Sequence, residues 1–227
     1  MRSAETGKDA RKPTGIRAVQ AGPKAQLHYK CVSGLIPSWA VPHQIDPGVP
    51  DMGDVILVTG PMGSGKSTLA QNMAQHLDWD CVSEDTYWVE NGWAGFRSPD
   101  QEQVVQHQVI DRLHAVCRSG RGVVLEFILY AEPPNPLSAY EQALDDNSVA
   151  YEVIVLKPSV AEVMRRIAVR GRAGDLQRLV ERELDVEHQM QVLESGILRS
   201  YRFVDSSDLS VEEATWACLK SLGRFPS

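Results

Sequence analysis

Gly60-Pro61-Met62-Gly63-Ser64-Gly65-Lys66-Ser67-Thr68 fits G-x-x-x-x-G-K-[ST], the pattern of a phosphate-binding loop. Ahead of it, Asp54-Val55-Ile56-Leu57-Val58-Thr59 is a β-branched apolar run that reads as a buried parallel strand. Behind it, Leu69, Met73 and Leu77 recur at i, i+4 and i+8 and read as one face of a helix starting at Lys66. Strand, glycine loop and helix form the context this chemistry needs. Successive backbone N–H groups of such a loop turn inward on phosphate oxygens. Glycines at 60, 63 and 65 keep side chains out of the way, and the helix aims its positive dipole end at the same anion. Lys66 sets an ammonium on the terminal phosphates, and Ser67 offers a hydroxyl to Mg²⁺. Met62, Ser64 and Thr68 complete the residues assigned to the phosphates. The competing reading is a glycine-rich turn that holds no ligand.

Working outward, apolar strands alternate with amphipathic helices. Trp79–Ser83 reads as a second strand ending in Glu84-Asp85-Thr86-Tyr87, and Trp88–Arg97 as an irregular stretch. Ser98-Pro99-Asp100-Gln101 starts a helix with Val105, Val109, Leu113 and Val116 inward. Val123–Leu129 is a third strand interrupted by Glu126, and Tyr151–Leu156 a fourth. Ser159 and Glu162 suit a capping box for the next helix. An arginine-rich segment with Gly171 and Gly174 leads to a long helix reaching about Ile197. Phe203-Val204-Asp205 is a short fifth strand, and Ser210 with Glu213 caps the last helix. The alternation predicts an α/β fold: a parallel sheet with helices on both faces and ligands beyond the carboxyl ends of the strands.

The chain has 227 residues, a net charge of −7 and an ordinary apolar fraction, 43%. The acidic balance disfavours a nucleic-acid coat or a membrane-surface binder, and no apolar run matches a membrane span. The four cysteines, Cys31, Cys81, Cys117 and Cys218, lack paired spacing. They read as free thiols of a cytoplasmic protein, with Cys81 and Cys117 packed. Residues 1–51 carry scattered basic residues and no sustained period, and read as a disordered arm before a domain at 52–227. Translation starting at Met52 is one expectation for that arm.

Asp85 falls just past the second strand on the loop's side of the sheet. A carboxylate there accepts a proton from a substrate hydroxyl, though a solvated turn Asp suits the position equally; Glu84 is the substitute. Glu126, inside an apolar run, needs a partner: Mg²⁺, its waters, a substrate donor or a structural ion pair. Arg165, Arg166, Arg170, Arg172 and Arg178 suit either a lid around 165–182 that closes on phosphates or a solvated face paired with Glu162, Glu181 and Glu183. Arg170 and Arg172, flanking Gly171, are the lid candidates. Tyr87, Trp88, Trp93 and Phe96 suit either an acceptor wall or a satellite core.

The loop Gly60–Thr68, the Ser83-Glu84-Asp85 strand end, the Arg165–Arg172 segment and Val204-Asp205-Ser206-Ser207 together resemble the small P-loop kinases. That group includes gluconate and shikimate kinases, chloramphenicol phosphotransferase and the zeta-toxin-like kinases. The resemblance covers roughly 54–223 and implies a three-layer α/β/α P-loop NTPase fold, five parallel strands in the order 2-3-1-4-5. It implies ATP with Mg²⁺ and transfer of a phosphoryl group to a hydroxyl of a small-molecule acceptor, neither nucleic acid nor membrane being a partner. It further implies that Asp85 is the base and that the turn with Asp205 and Ser206 cups adenine. The sequence departs from the group at Glu126, where several relatives carry Asp, and in lacking Asp-x-Asp after the second strand. A nucleoside or nucleotide kinase and a non-catalytic ATP-binding regulator are the alternative readings. The acceptor's identity and the oligomeric state have no signature in the chain.

Overall fold

A computed structural model describes residues 52–93, 98–130, 135–195 and 201–224. The disordered arm expected at 1–51 lies outside this set. Within it the elements run β1 (Val55–Thr59), α1 (Lys66–Leu77), β2 (Asp80–Ser83), α2 (Glu84–Glu90), α3 (Pro99–Arg118), β3 (Val123–Glu126) and α4 (Pro136–Asp146). There follow β4 (Tyr151–Leu156), α5 (Val160–Arg170), α6 (Ala173–Leu176), α7 (Leu179–Glu194), β5 (Arg202–Val204) and α8 (Val211–Ser221). The strands form one parallel sheet in the order β2-β3-β1-β4-β5, the order that the resemblance to P-loop kinases implies.

The period of two along each strand divides the interior into two cores. Val55 and Leu57 of β1, Val123 and Leu125 of β3, and Val153 and Val155 of β4 face one side, against α3, α4, α5 and α7. Their neighbours Ile56, Val58, Val124, Ile154 and Leu156 face the other, against Leu69 and Met73 of α1 and Cys218 and Leu219 of α8. A central strand covered on both faces has no polar side to offer, which is why all of β1 is buried.

Several expectations are corrected. The strand expected through Leu129 ends at Glu126, because β1 turns into the glycine loop after Thr59 and β2 turns into α2 after Ser83. Among the described residues just beyond it, Phe127 N–H still reaches β1, donating to Val58 O at 3.1 Å. Glu84–Glu90, expected as strand end and irregular chain, is helical, with Glu84 and Asp85 in the first turn where acidic groups meet the helix dipole. Ser159 accepts from Glu162 N–H, but the reciprocal half of the box is missing. Arg165 and Arg166 hold the Glu162 carboxylate, and Ser159 N–H donates instead to Ser207 Oγ at 2.8 Å. Cys81 is exposed on the edge strand, whereas Cys117 and Cys218 are buried. Cys31 and Phe96 lie outside the described residues, as does Ile197, the expected end of the long helix. Trp88 is buried in the larger core, with Trp93 tilted against it at 5.8 Å, so this pair is core rather than pocket wall.

Candidate active site

β1 delivers the chain to the carboxyl edge of the sheet, where Gly60 takes φ 149° and Gly63 φ 72°. The reason is packing within the protein. A Cβ on Gly60 would stand 2.4 Å from Leu156 O, and one on Gly63 2.8 Å from Ile167 Cγ1. Gly65 differs: a Cβ there would meet nothing nearer than Arg166 Nη1 at 3.6 Å, so its backbone is open to the cavity. Of the loop amides, Ser64 N–H donates to Pro61 O at 3.2 Å and Met62 N–H to Gln189 Oε1 at 2.8 Å. The expectation that successive amides all point inward is thereby corrected at these two residues.

Lys66 opens α1, is 9% exposed, and donates from Nζ to Pro61 O at 3.0 Å. Burial pushes its ammonium below the usual lysine range, against the opposing pull of Glu126, Asp85 and Glu84. A cavity of about 540 Å³ brings Lys66 and Ser67 together with Asp85, Glu126, Arg170 and Arg172. Asp85 lines this cavity and the buried Glu84 does not. Glu126 is 4% exposed and accepts a hydrogen bond from Ser83 Oγ, directly opposite in the β2–β3 register. That hydroxyl is a partner the sequence reading did not name. It also explains why Ser83, at the N-cap of α2, makes no side-chain cap.

A second cavity, about 470 Å³, lies past Ser64, Gly65 and Thr68 and is bounded by Leu156, Ser206 and Val211. Arg166 borders both cavities. Its Nη1 donates to Ser64 O at 2.7 Å, its Nη2 to Ser206 O at 2.5 Å, and its Nε to Glu162 Oε1 at 2.7 Å. One guanidinium thus ties the loop, α5 and the turn after β5. Asp205 does not line this cavity; its carboxylate accepts from Ser207 N–H at 2.9 Å and from Ser207 Oγ at 2.6 Å. Those bonds hold its carboxyl below the usual range and fix the turn that presents Ser206.

The arginine segment is helical apart from Gly171-Arg172 and the turn at 177–178, and most of its arginines are paired within it. Asp175 accepts from Arg170 and, at 3.1 Å, from Arg182, which also reaches Asp185. Arg165 pairs with Glu162 and Arg178 with Glu181, the solvated-face pattern the sequence also allowed. Arg172 has no ion pair among the described residues. Sequence reasoning gave no individual role to Ser83, Asp175, Arg182 or Gln189. For Gln189 a signal existed, a carboxamide inside the apolar stripe of Val186, Met190 and Leu193.

A family model described as an AAA domain matches residues 55–195, more than half of the chain. The chain belongs to this AAA domain family. The matched span of the AAA domain takes in the loop, Asp85, Glu126 and the arginine segment, but not the turn at Asp205. Over 169 residues the chain is 28% identical to the shikimate kinase of Actinobacillus succinogenes, covering 69% of this chain and 83% of that protein. Over 63 residues it is 40% identical to tRNA dimethylallyltransferase 9 of Arabidopsis thaliana. That match covers 26% of this chain and spans only 14% of the plant protein. The crystal structure of a gluconokinase from Sinorhizobium meliloti 1021 superposes with a TM-score of 0.54 at 17% identity, covering 78% of this chain and 95% of that one. The fold is that of the P-loop kinases, and small-molecule kinases are among its neighbours. No described helix is long and apolar enough to cross a membrane.

Proposed function

We propose that this chain is an ATP-dependent phosphotransferase that moves the γ-phosphoryl group to a hydroxyl of a small metabolite or antibiotic-like molecule. The observation that carries the reading is the single cavity holding Lys66, Ser67, Asp85, Glu126, Arg170 and Arg172, contributed by separate elements. Its chemistry fits a polyphosphate. Gly65 opens the backbone to the cavity, Lys66 brings a buried cation, and Ser67 with Glu126 offers hard oxygen donors. Bound there by Ser67 and Glu126, Mg²⁺ would neutralise charge on the β- and γ-oxygens.

In this reading the acceptor oxygen attacks the γ-phosphorus while the bond to the β–γ bridging oxygen breaks, and ADP departs. The hydroxyl proton passes to the Asp85 carboxylate. Lys66 stabilises charge on the phosphates. Arg170 and Arg172 sit in a lid over 165–182 that shields the transfer from water. The base of the nucleotide occupies the second cavity beside Ser206, and Asp205 acts on it through Ser207. Residues 52–227 are the kinase domain. Similarity to a shikimate kinase and a gluconokinase supports a small hydroxyl-bearing acceptor.

The test is an ADP-release assay with MgATP over a panel of sugars, polyol acids, nucleosides and aminocyclitols, with Asp85→Asn alongside. Turnover with at least one acceptor, lost in the variant while ATP still binds, is the expected result. Calorimetric binding of ATP without turnover on any acceptor would favour an ATP-binding regulator. No heat from ATP or GTP with Mg²⁺ would overturn the nucleotide site itself.

A further inference from the structure

α7 buries Val186, Met190, Val192 and Leu193 in the larger core, and within that apolar face stands Gln189, 5% exposed. An unpaired buried carboxamide costs about 1–3 kcal/mol, so a core position needs a compensating partner. The partner is the Met62 amide, whose N–H donates to Gln189 Oε1 at 2.8 Å across 127 residues of chain. Met62 lines the larger cavity together with Lys66 and Asp85, and does not line the smaller one beside Ser206. The bond therefore fastens the loop at the transfer end rather than at the base end. Gln189 also shares its helix with Arg182, which reaches Asp175 and through it Arg170.

The local backbone explains why this contact matters. Met62 lies between Pro61, which has no N–H, and Gly63, which is in the left-handed region. The Met62 N–H and the Pro61 carbonyl belong to one peptide plane, and that carbonyl accepts from Ser64 N–H at 3.2 Å and from Lys66 Nζ at 3.0 Å. Gln189 therefore holds the N–H end of the plane whose carbonyl end holds the Lys66 ammonium. The geometry points to Gln189 as a positioning residue for phosphoryl transfer: by accepting the Met62 amide it sets the outer lip of the phosphate bed, where the terminal phosphate of a nucleoside triphosphate is gripped. This rests on the proposed kinase reading and goes beyond it, because it assigns to α7 the discrimination between triphosphate and diphosphate.

The experiment titrates the full chain with ADP and with the non-hydrolysable analogue AMP-PNP, both with Mg²⁺, for wild type, Gln189→Met and Val186→Ala. Met fills the volume of Gln without an acceptor. Val186, fully buried one turn away, controls for lost packing. Gln189→Met is expected to lose about tenfold in affinity for AMP-PNP and less than about threefold for ADP, the scale of one unsatisfied buried N–H. Val186→Ala is expected to lower the melting temperature and leave the ratio of the two affinities unchanged. An unchanged ratio in Gln189→Met, or an equal change of ratio in Val186→Ala, would overturn the assignment. Should Gln189→Met not fold, amide exchange of the wild type decides: the Met62 N–H is expected to be protected without nucleotide, and free exchange would overturn the bond. Wild type that binds neither nucleotide would count against the kinase reading instead.

Discussion

Gly63→Ala gives the sharpest test of how the loop is built. A Cβ at this position would lie 2.8 Å from Ile167 Cγ1 and 3.2 Å from both Ile167 Cδ1 and Val163 Cγ1. Ile167 cannot swing away, because a β-branched side chain in a helix has one strongly preferred χ1 and this one is fully buried. Overpacking of this kind costs about 1–3 kcal/mol. The backbone adds to it: φ is 72° at Gly63, and a non-glycine residue in the left-handed region costs about 1–2 kcal/mol. The sum is a loss of about 2–5 kcal/mol. At about 2–4 °C per kcal/mol for a domain of this size, the melting temperature falls by about 4–20 °C. Nucleotide-free protein followed by calorimetry and by urea unfolding measures both quantities.

A double-mutant cycle separates the two contributions. Ile167→Ala alone opens a cavity worth about 2–5 kcal/mol. In the double variant the added methyl finds that space, so the loss falls short of the sum of the single losses by about 1–3 kcal/mol. Strict additivity, or a Gly63→Ala protein as stable as wild type, would refute the claim that α5 packs directly on the loop.

Three further outcomes follow from the same geometry. Asp85→Asn is expected to lower kcat by about 10²–10⁴-fold while leaving the dissociation constant for ATP within error, read by paired kinetics and calorimetry. Ser83→Ala leaves the buried Glu126 carboxylate without its hydroxyl donor and is expected to cost about 1–3 kcal/mol in urea unfolding, with Ser83→Thr restoring most of it; equal losses in both variants would argue against the bond. Arg165 and Arg166 hold the Glu162 carboxyl near 2, below its ordinary 4.5. The folded state therefore binds this proton less readily than the unfolded one, so the contribution is present above pH 4.5 and is lost as the pH falls towards 2. Glu162→Gln is expected to flatten the stability profile across that window, and an unchanged acid limb would contradict the pairing.

Much of the nucleotide end was legible from local chemistry. Glycines at fixed offsets from a lysine, after a β-branched run and before an i, i+4 stripe, define a strand–loop–helix without reference to the rest of the chain. The alternation of strands and helices then leads to a parallel sheet, since a parallel neighbour requires a crossover. Strand order 2-3-1-4-5 came from resemblance, because hydrophobic period tells which face is buried but not which strand lies beside it. The ends of β2 and β3 were misjudged for a related reason: a strand stops where its neighbours leave, and Phe127–Leu129 stays as apolar as the ladder before it.

What only tertiary structure decided is the set of polar contacts between distant segments. Asp85 and Glu84 are adjacent and chemically alike, yet only Asp85 lines the cavity, because the first turn of α2 sends consecutive side chains about 100° apart. Ser83 meets Glu126 through strand register, Arg166 ties Ser64 to Ser206, and Gln189 reaches Met62 from 127 residues away. Each is a short-range bond whose partners are joined by long stretches of chain. A linear pattern encodes the periodicity of one element at a time, whereas hydrogen-bond complementarity exists only after the elements have packed.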